Sequence, residues 1–239
     1  MTTALERLEA DPVLATVARL RDRVAARFPD RGLLGVANEL VTLSAEVSTS
    51  AAVNRGRLRA LRALSRALVL LVLAATVTAL GFVVHSAFVD GPEHEVEWLS
   101  LLESGVNDVV FASIAIWFLY TVPERVRRAG TLGLLHKLRS LAHIIDMHQL
   151  NKDPERLRAS FRPTAVSPAM DLAPQELEHY LDYCSEMLSL VGKVAALCAE
   201  ESRDAVVLDT VSTIETLTTG MSRKIWQKIS VLNEGRPAD

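Results

Sequence analysis

The sequence predicts an all-α membrane protein, a two-helix transmembrane hairpin joined to a cytoplasmic helical bundle. Three observations predict it. Mean hydropathy is +0.21 although 23% of the 239 residues are charged, so the 49% that are apolar must be concentrated in particular stretches. Two of those stretches approach or exceed membrane-spanning length. Elsewhere apolar residues recur every three to four positions, and no segment alternates with period two for long enough to form a strand. The same composition excludes a disordered tail, a collagen-like fibre and a disulfide-stapled secreted module, since there are only two cysteines. A net charge of −3 and a pI near 6.1 give no bulk electrostatic case for nucleic acid.

The first span covers residues 67–89. Ala67 to Val84 contains no charged residue, and only His85 and Ser86 interrupt the apolar run before Val89. A helix of that length is roughly 35 Å long, enough to cross a hydrocarbon core of about 30 Å. Its position, well past the first 30 or so residues, excludes a signal peptide. The second span is less apolar. Val109 to Val122 is uncharged but makes only about 21 Å of helix. Beginning at Leu101 supplies the missing turns, with Ser100 and Glu103 in the pattern of a capping box. The second span is therefore 101–122, and Asn107 and Asp108 lie inside it.

Orientation follows from Lys and Arg. Arg55, Arg57, Arg59, Arg62 and Arg66 precede the first span, and Arg125, Arg127, Arg128, Lys137 and Arg139 follow the second. The acidic loop 90–100 carries Asp90, Glu93, Glu95 and Glu97 and no Lys or Arg. Cationic flanks stay cytoplasmic, which predicts both termini inside and this loop outside. Trp98 belongs at the outer boundary, and Trp117 and Tyr120 near the inner one. The basic flanks act as topology determinants and are also able to recruit anionic lipid.

The remaining chain forms residues 1–66, an N-terminal cytoplasmic block, and 123–239, a C-terminal one. Asp11 and Pro12 predict a helix start, with Val13, Val17, Leu20 and Val24 on one face until Phe28 and Pro29. Val36, Leu40, Leu43 and Val47 mark a second helix, and Asn54 to Gly56 mark a break before the membrane. Pro123 is expected to end or kink the second span, and Gly130 is a further soft point. Leu134, Leu138, Leu141, Ile145 and His148 then follow a heptad-like spacing. A short helix near 155–161 precedes a proline-containing loop. Two long helices close the chain: 174–201 with Leu177, Leu181, Cys184, Leu188, Val191, Ala195 and Cys198 inward, and 205–232 with Val207, Val211, Ile214, Leu217, Met221, Ile225 and Leu232 inward. The cysteines read as small buried residues, too far apart on one helix to pair. Arg223, Lys224 and Lys228 complement the dipole at the end of the last helix, and Trp226 beside them is placed to dip into a leaflet or to dock on a partner.

Two groups of residues are candidate sites. In the membrane, Gly105, Asp108, Ala112 and Ala115 form a narrow stripe suited to helix packing, and Asp108 on it should face protein. Counted from the outer helix ends, His85 lies about 6 Å deep, Glu103 about 3 Å and Asp108 about 10 Å, so the histidine can meet either acid across the hairpin. An intramembrane polar cluster of His85, Glu103, Asn107 and Asp108 reads either as a capping and interfacial group with water access or as the mouth of an oligomeric cation path. In the cytoplasmic part, His143 with Asp146 and His179 with Asp182 are two pairs at i,i+3. They read as hydrogen-bonded pairs that fix helix register, or as ligands of a divalent metal if the two faces meet. No phosphate loop, nucleophile elbow, zinc-spaced cysteine set or His-Glu-x-x-His occurs, so neither a cofactor nor an enzyme of a familiar kind is expected.

Four stretches carry a resemblance: Glu103-Ser-Gly-Val-Asn-Asp108, the run from Leu138 to Pro154, Tyr180 to Leu190, and Leu217 to Lys228. Together they resemble a group of uncharacterised bacterial membrane proteins with the same two-span layout. The resemblance covers the second span and nearly all of the C-terminal block, and it implies an inner-membrane location with no assigned activity to carry over. The expected function is a membrane-anchored helical interaction or scaffold module that self-associates. Its expected partners are the bilayer, further copies of the chain and a cytoplasmic protein. The alternatives are an oligomeric ion channel or membrane effector gated by the bundle and, third, a metal-dependent enzyme.

Overall fold

Val13, Val17, Leu20 and Val24 recur at helical spacing, and all four are buried on one side of the first helix, α1, Ala10–Arg27. The computed structural model describes residues 7–89, 95–158, 160–167, 170–200 and 202–234. After α1 come α2, Gly32–Val89, and α3, Glu95–Leu150; a 3-10 turn, Pro154–Leu157; α4, Pro174–Ala199; and α5, Ala205–Glu234. There is no strand among the described residues. The chain divides into two units, one built from the residues up to Ala51 together with those from Gly130 on, the other from Ala52–Ala129.

The first unit is a helical bundle around one apolar core. Leu33, Leu40 and Leu43 of α2, Leu135, Leu138 and Ile145 of α3, and the inward faces of α4 and α5 all contribute buried side chains. Leu135 is fully buried where the heptad-like spacing put Leu134, which only packs against the core's edge. A straight helix at 3.6 residues per turn drifts from a strict 3.5 repeat, and the inward register moves by one position. Phe28 ends α1, its N–H returning to the Val24 carbonyl at 2.8 Å, and its ring meets Tyr180 and Tyr183 of α4 edge-on at 5.4 and 6.1 Å. Arg23 clasps Glu186 through two bonds of 2.7 and 2.8 Å, which ties α1 to α4.

Helix ends in this unit differ in detail from expectation. α1 begins at Ala10 with Glu9 as its N-cap, so Asp11 does not cap and Pro12 sits within the first turn, where a missing N–H costs nothing. Pro174 opens α4, and the Glu176 carboxylate accepts from the Ala173 N–H at 2.9 Å. Asp204 caps α5 by accepting from Val206 at 3.0 Å. The expected short helix at 155–161 is instead the 3-10 turn, held by Asp153 accepting from Glu155.

The second unit comprises the rest of α2 and the first part of α3. Two segments are long and apolar enough to cross a membrane, Leu58–His85 at a mean hydropathy of 2.7 and one within Leu102–Leu157 at 1.5, and neither apolar window is buried inside the protein. Phe82, Phe111 and Trp117 point outward along them. Neither helix ends at the three positions marked as a break, an end or kink, and a soft point. α2 runs unbroken through Asn54 to Gly56, and α3 runs unbroken through Pro123 and Gly130. α3 begins at Glu95, so positions 100 and 103 lie within the helix and not at its start, and the helix takes in the second half of the expected 90–100 loop. Residues 90–94 and the side chain of Trp98 lie outside the described residues.

Pro123 is accommodated by a specific contact. Proline has no N–H for the carbonyl four residues earlier, and that carbonyl belongs to Leu119. The Ser65 hydroxyl of α2 donates to it, in a buried position that joins the two helices. Nearby, Glu124 accepts from Arg127 at 2.8 Å and meets Arg62 of α2 at 3.4 Å. Arg125 lies over the rings of Trp117 and Phe118 at 5.8 and 5.9 Å.

Candidate functional site

In the second unit, α2 and α3 enclose a groove of about 380 Å³. Ala75, Thr76 and Ala79 line it from one helix and Asp108, Ala112 and Ala115 from the other, with Val72 and Phe111 completing its walls. Small side chains on both helices make this hollow, because each one lowers the ridge between neighbouring turns. Asp108, Ala112 and Ala115 thus share the face that their spacing predicts. Gly105 faces Leu80, where an added Cβ would make only ordinary contact at 3.7 Å. Thr76 satisfies its hydroxyl on the Val72 carbonyl at 2.9 Å.

The polar cluster does not assemble as expected. Asp108 lines the groove yet is exposed, and His85, Glu103 and Asn107 are exposed as well. No ion pair among the described residues joins His85 to Glu103 or Asp108. Helix geometry accounts for part of this. At 3.6 residues per turn Glu103 and Asp108 point about 140° apart, and one helix cannot aim both into the same groove.

In the bundle, the two His and Asp pairs are separate. His143 is exposed on α3, and Asp146 accepts from Gln149 at 2.7 Å. On α4, Asp182 is half-buried, and burial, then the neighbouring Glu186, raises its carboxyl above the usual range. Among the described residues no group of three or more His, Cys, Asp or Glu side chains is placed to hold a metal ion. Cys184 is buried and Cys198 half-buried, and burial pushes their thiols up to about 12 and about 11.

A polar site that hydrophobic periodicity misses lies at the end of α3. Gln149 is 2% exposed and occupies a core position. Its amide donates to Asp146, while Lys228 of α5 donates to both its side-chain oxygen at 2.7 Å and its backbone carbonyl at 2.9 Å. That carbonyl is one of the last four of α3, which have no partner within the helix. The ammonium therefore caps α3 from a neighbouring helix, and Gln149 relays its charge to Asp146. Lys228 pays for this by desolvation, which lowers its pKa. Arg223, Lys224 and Trp226, by contrast, stay exposed.

One residue before Gln149, His148 Nδ1 lies 3.2 Å from the Tyr180 hydroxyl, and its ring closes over Gly32 at the start of α2. A Cβ at Gly32 would come within 2.9 Å of the ring, so a side chain there requires the ring to shift. Burial, then Lys152, lowers the His148 pKa, and burial raises that of Tyr180. The neutral ring and the phenol share one hydrogen bond, whose direction the tautomer of the ring sets. Lys152 also pairs with Asp171 at 3.3 Å, and Arg31 holds the same carboxylate below the usual range. The nearest sequence signal is His148 itself, the only polar member of the predicted stripe; Gln149 and Lys228 become a pair only through tertiary packing. Compared with known proteins, the chain matches no family model, no curated protein and no solved structure.

Proposed function

We propose that this chain is a membrane-anchored helical interaction module, acting by binding rather than catalysis. The hairpin spans the bilayer, both termini are cytoplasmic, the bundle presents its surfaces to partners, and copies self-associate. One observation carries the reading: the apolar windows of both long helices lie wholly on the outside. Apolar surface left in water costs roughly 25 cal/mol per Å², and patches beyond a few hundred Å² mark sites of membrane or protein contact. Two helices of spanning length with outward Phe82, Phe111 and Trp117 fit a hydrocarbon environment. Alkaline extraction of membranes from expressing cells tests this. The chain should stay in the pellet and should run in mild detergent at the mass of a dimer or larger. Release into the soluble fraction would overturn it.

A second reading, an oligomeric ion path, is favoured by Asp108, a carboxyl in the groove of an otherwise apolar hairpin. A hairpin of two helices encloses no pore alone, so this reading needs at least a tetramer. Ion flux through liposomes should then fall in Asp108→Asn, and equal flux in both forms would remove it.

A further inference from the structure

Within the bundle, α4 and α5 flank a groove of about 390 Å³, inside the range of roughly 300–1,000 Å³ that small-molecule sites occupy. Ser185, Ser189 and Gly192 line it from α4, and Thr219, Ser222 and Trp226 from α5. An added Cβ at Gly192 would lie 3.2 Å from the Thr218 hydroxyl, so the two helices approach closely at that point.

Ser185 points to a ligand. Of the five buried Ser, Thr and Gln side chains among the described residues, Ser44, Ser65, Gln149 and Thr218 each donate a hydrogen bond within the protein. Ser185, 7% exposed, makes none. A helical serine can return its hydroxyl to the carbonyl four residues earlier, as Ser44 does, and a buried hydroxyl without a partner costs free energy. The Ser185 hydroxyl is instead left to the groove. The side chains of Thr219, Ser222 and Trp226, which line the same groove, also have no hydrogen-bond partner among the described residues.

The lining selects the chemistry of that ligand. Hydroxyls both donate and accept, so neighbouring ones are matched by a molecule that does both at successive positions. Lys193, which donates to Ser189 at 2.8 Å, and Glu215 place one charge of each sign on the groove. A ligand with net charge of either sign would therefore meet its like. An apolar ligand would leave Ser185 without a partner. Trp226, 54% exposed and the last lining residue along α5, offers a broad ring face and an N–H in need of an acceptor.

We propose that this groove binds a small neutral polyhydroxyl molecule, a sugar of one or two rings or a cyclic polyol. Ser185, Thr219 and Ser222 exchange hydrogen bonds with its hydroxyls, and the Trp226 ring covers its C–H face. Every lining residue belongs to the bundle, so the site does not depend on the hairpin crossing a bilayer.

The test uses the full chain in a detergent without a sugar headgroup, titrated calorimetrically with glucose, galactose, trehalose and myo-inositol in turn. At least one should bind saturably, and Ser185→Ala and Trp226→Ala should each weaken that binding about tenfold, the effect of one lost contact. Thr213→Ala, exposed on α5 outside the groove, should leave it unchanged. Binding of none of the four, binding undiminished in Trp226→Ala, or Trp226-dependent binding of inorganic phosphate or glycine alone would overturn the proposal. If Ser185→Ala loses helical content, the exposed Trp226→Ala decides.

Discussion

The Ser65 hydroxyl donates to the Leu119 carbonyl, the acceptor that Pro123 leaves open, so a side chain on α2 stands in for the missing amide of α3. A helix tolerates an internal proline where a neighbouring hydroxyl re-satisfies the freed carbonyl. Here the substitute donor comes from the other helix, so proline tolerance and hairpin packing depend on one contact.

Removing that contact should therefore be costly only while the proline is present. Ser65→Ala should destabilise the hairpin by about 1–3 kcal/mol, the cost of leaving a buried carbonyl without a donor. In a Pro123→Ala background the helix amide returns to Leu119, and the same serine substitution should cost about 0.5 kcal/mol or less. Unfolding in detergent followed by circular dichroism measures the cycle. Equal costs in the two backgrounds would show that Ser65 acts by packing alone.

The Lys228 contact predicts a second loss. Lys228→Met keeps the stem and deletes the charge, which leaves the buried Gln149 side-chain oxygen without its donor, while the Gln149 carbonyl keeps the Lys152 N–H. Stability of the bundle should fall by about 2 kcal/mol. Lys228→Arg should recover only part of it, since a planar fork does not replace a point donor facing two oxygens. Chemical denaturation of the three forms provides the comparison.

His148 predicts the pH dependence. Its folded pKa lies below the ordinary value of about 6.5, with burial as the main cause. In that interval the unfolded chain binds the proton more readily, so stability is complete above about pH 6.5 and falls as pH drops toward the folded value. Below the folded value this contribution levels off. A melting series from about pH 7.5 to 5 should show the decline in the parent and a shallower one in His148→Asn, which has no proton to gain. Identical slopes would place the effect elsewhere.

Gly32→Ala reports on the same contact from the opposite side. Its new Cβ would meet the His148 ring at 2.9 Å, and the ring is already held by Tyr180. Overpacking of this kind costs about 1–3 kcal/mol. The displaced ring should gain water, and the pH slope should flatten as the melting temperature falls. A melting curve unchanged from the parent's would mean that the ring moves aside freely.

Much of this architecture is legible in the sequence because it is periodic. Val13 to Val24 and Leu177 to Ala195 repeat at helical spacing, and both sets are inward. The groove face of Asp108, Ala112 and Ala115 follows from the same arithmetic. What escapes is whatever depends on distant partners. Pro123 reads as a stop until Ser65, 54 residues before Leu119, is seen to supply the donor. Gln149 is buried, and a polar side chain in a core position is invisible to any count of apolar residues. Counting from the predicted helix ends puts His85 between Glu103 and Asp108, but such a count fixes neither rotation about the helix axis nor contact.

Two single cysteines report whether the hairpin crosses a bilayer with the bundle on the inner side. Gly91→Cys, between the helices, and Thr213→Cys, exposed on α5, are each treated with a membrane-impermeant maleimide in spheroplasts, before and after lysis. Position 91 should be labelled in intact spheroplasts, and position 213 only once the membrane is opened. Labelling of position 213 in intact spheroplasts, or protection of position 91 until lysis, would contradict it.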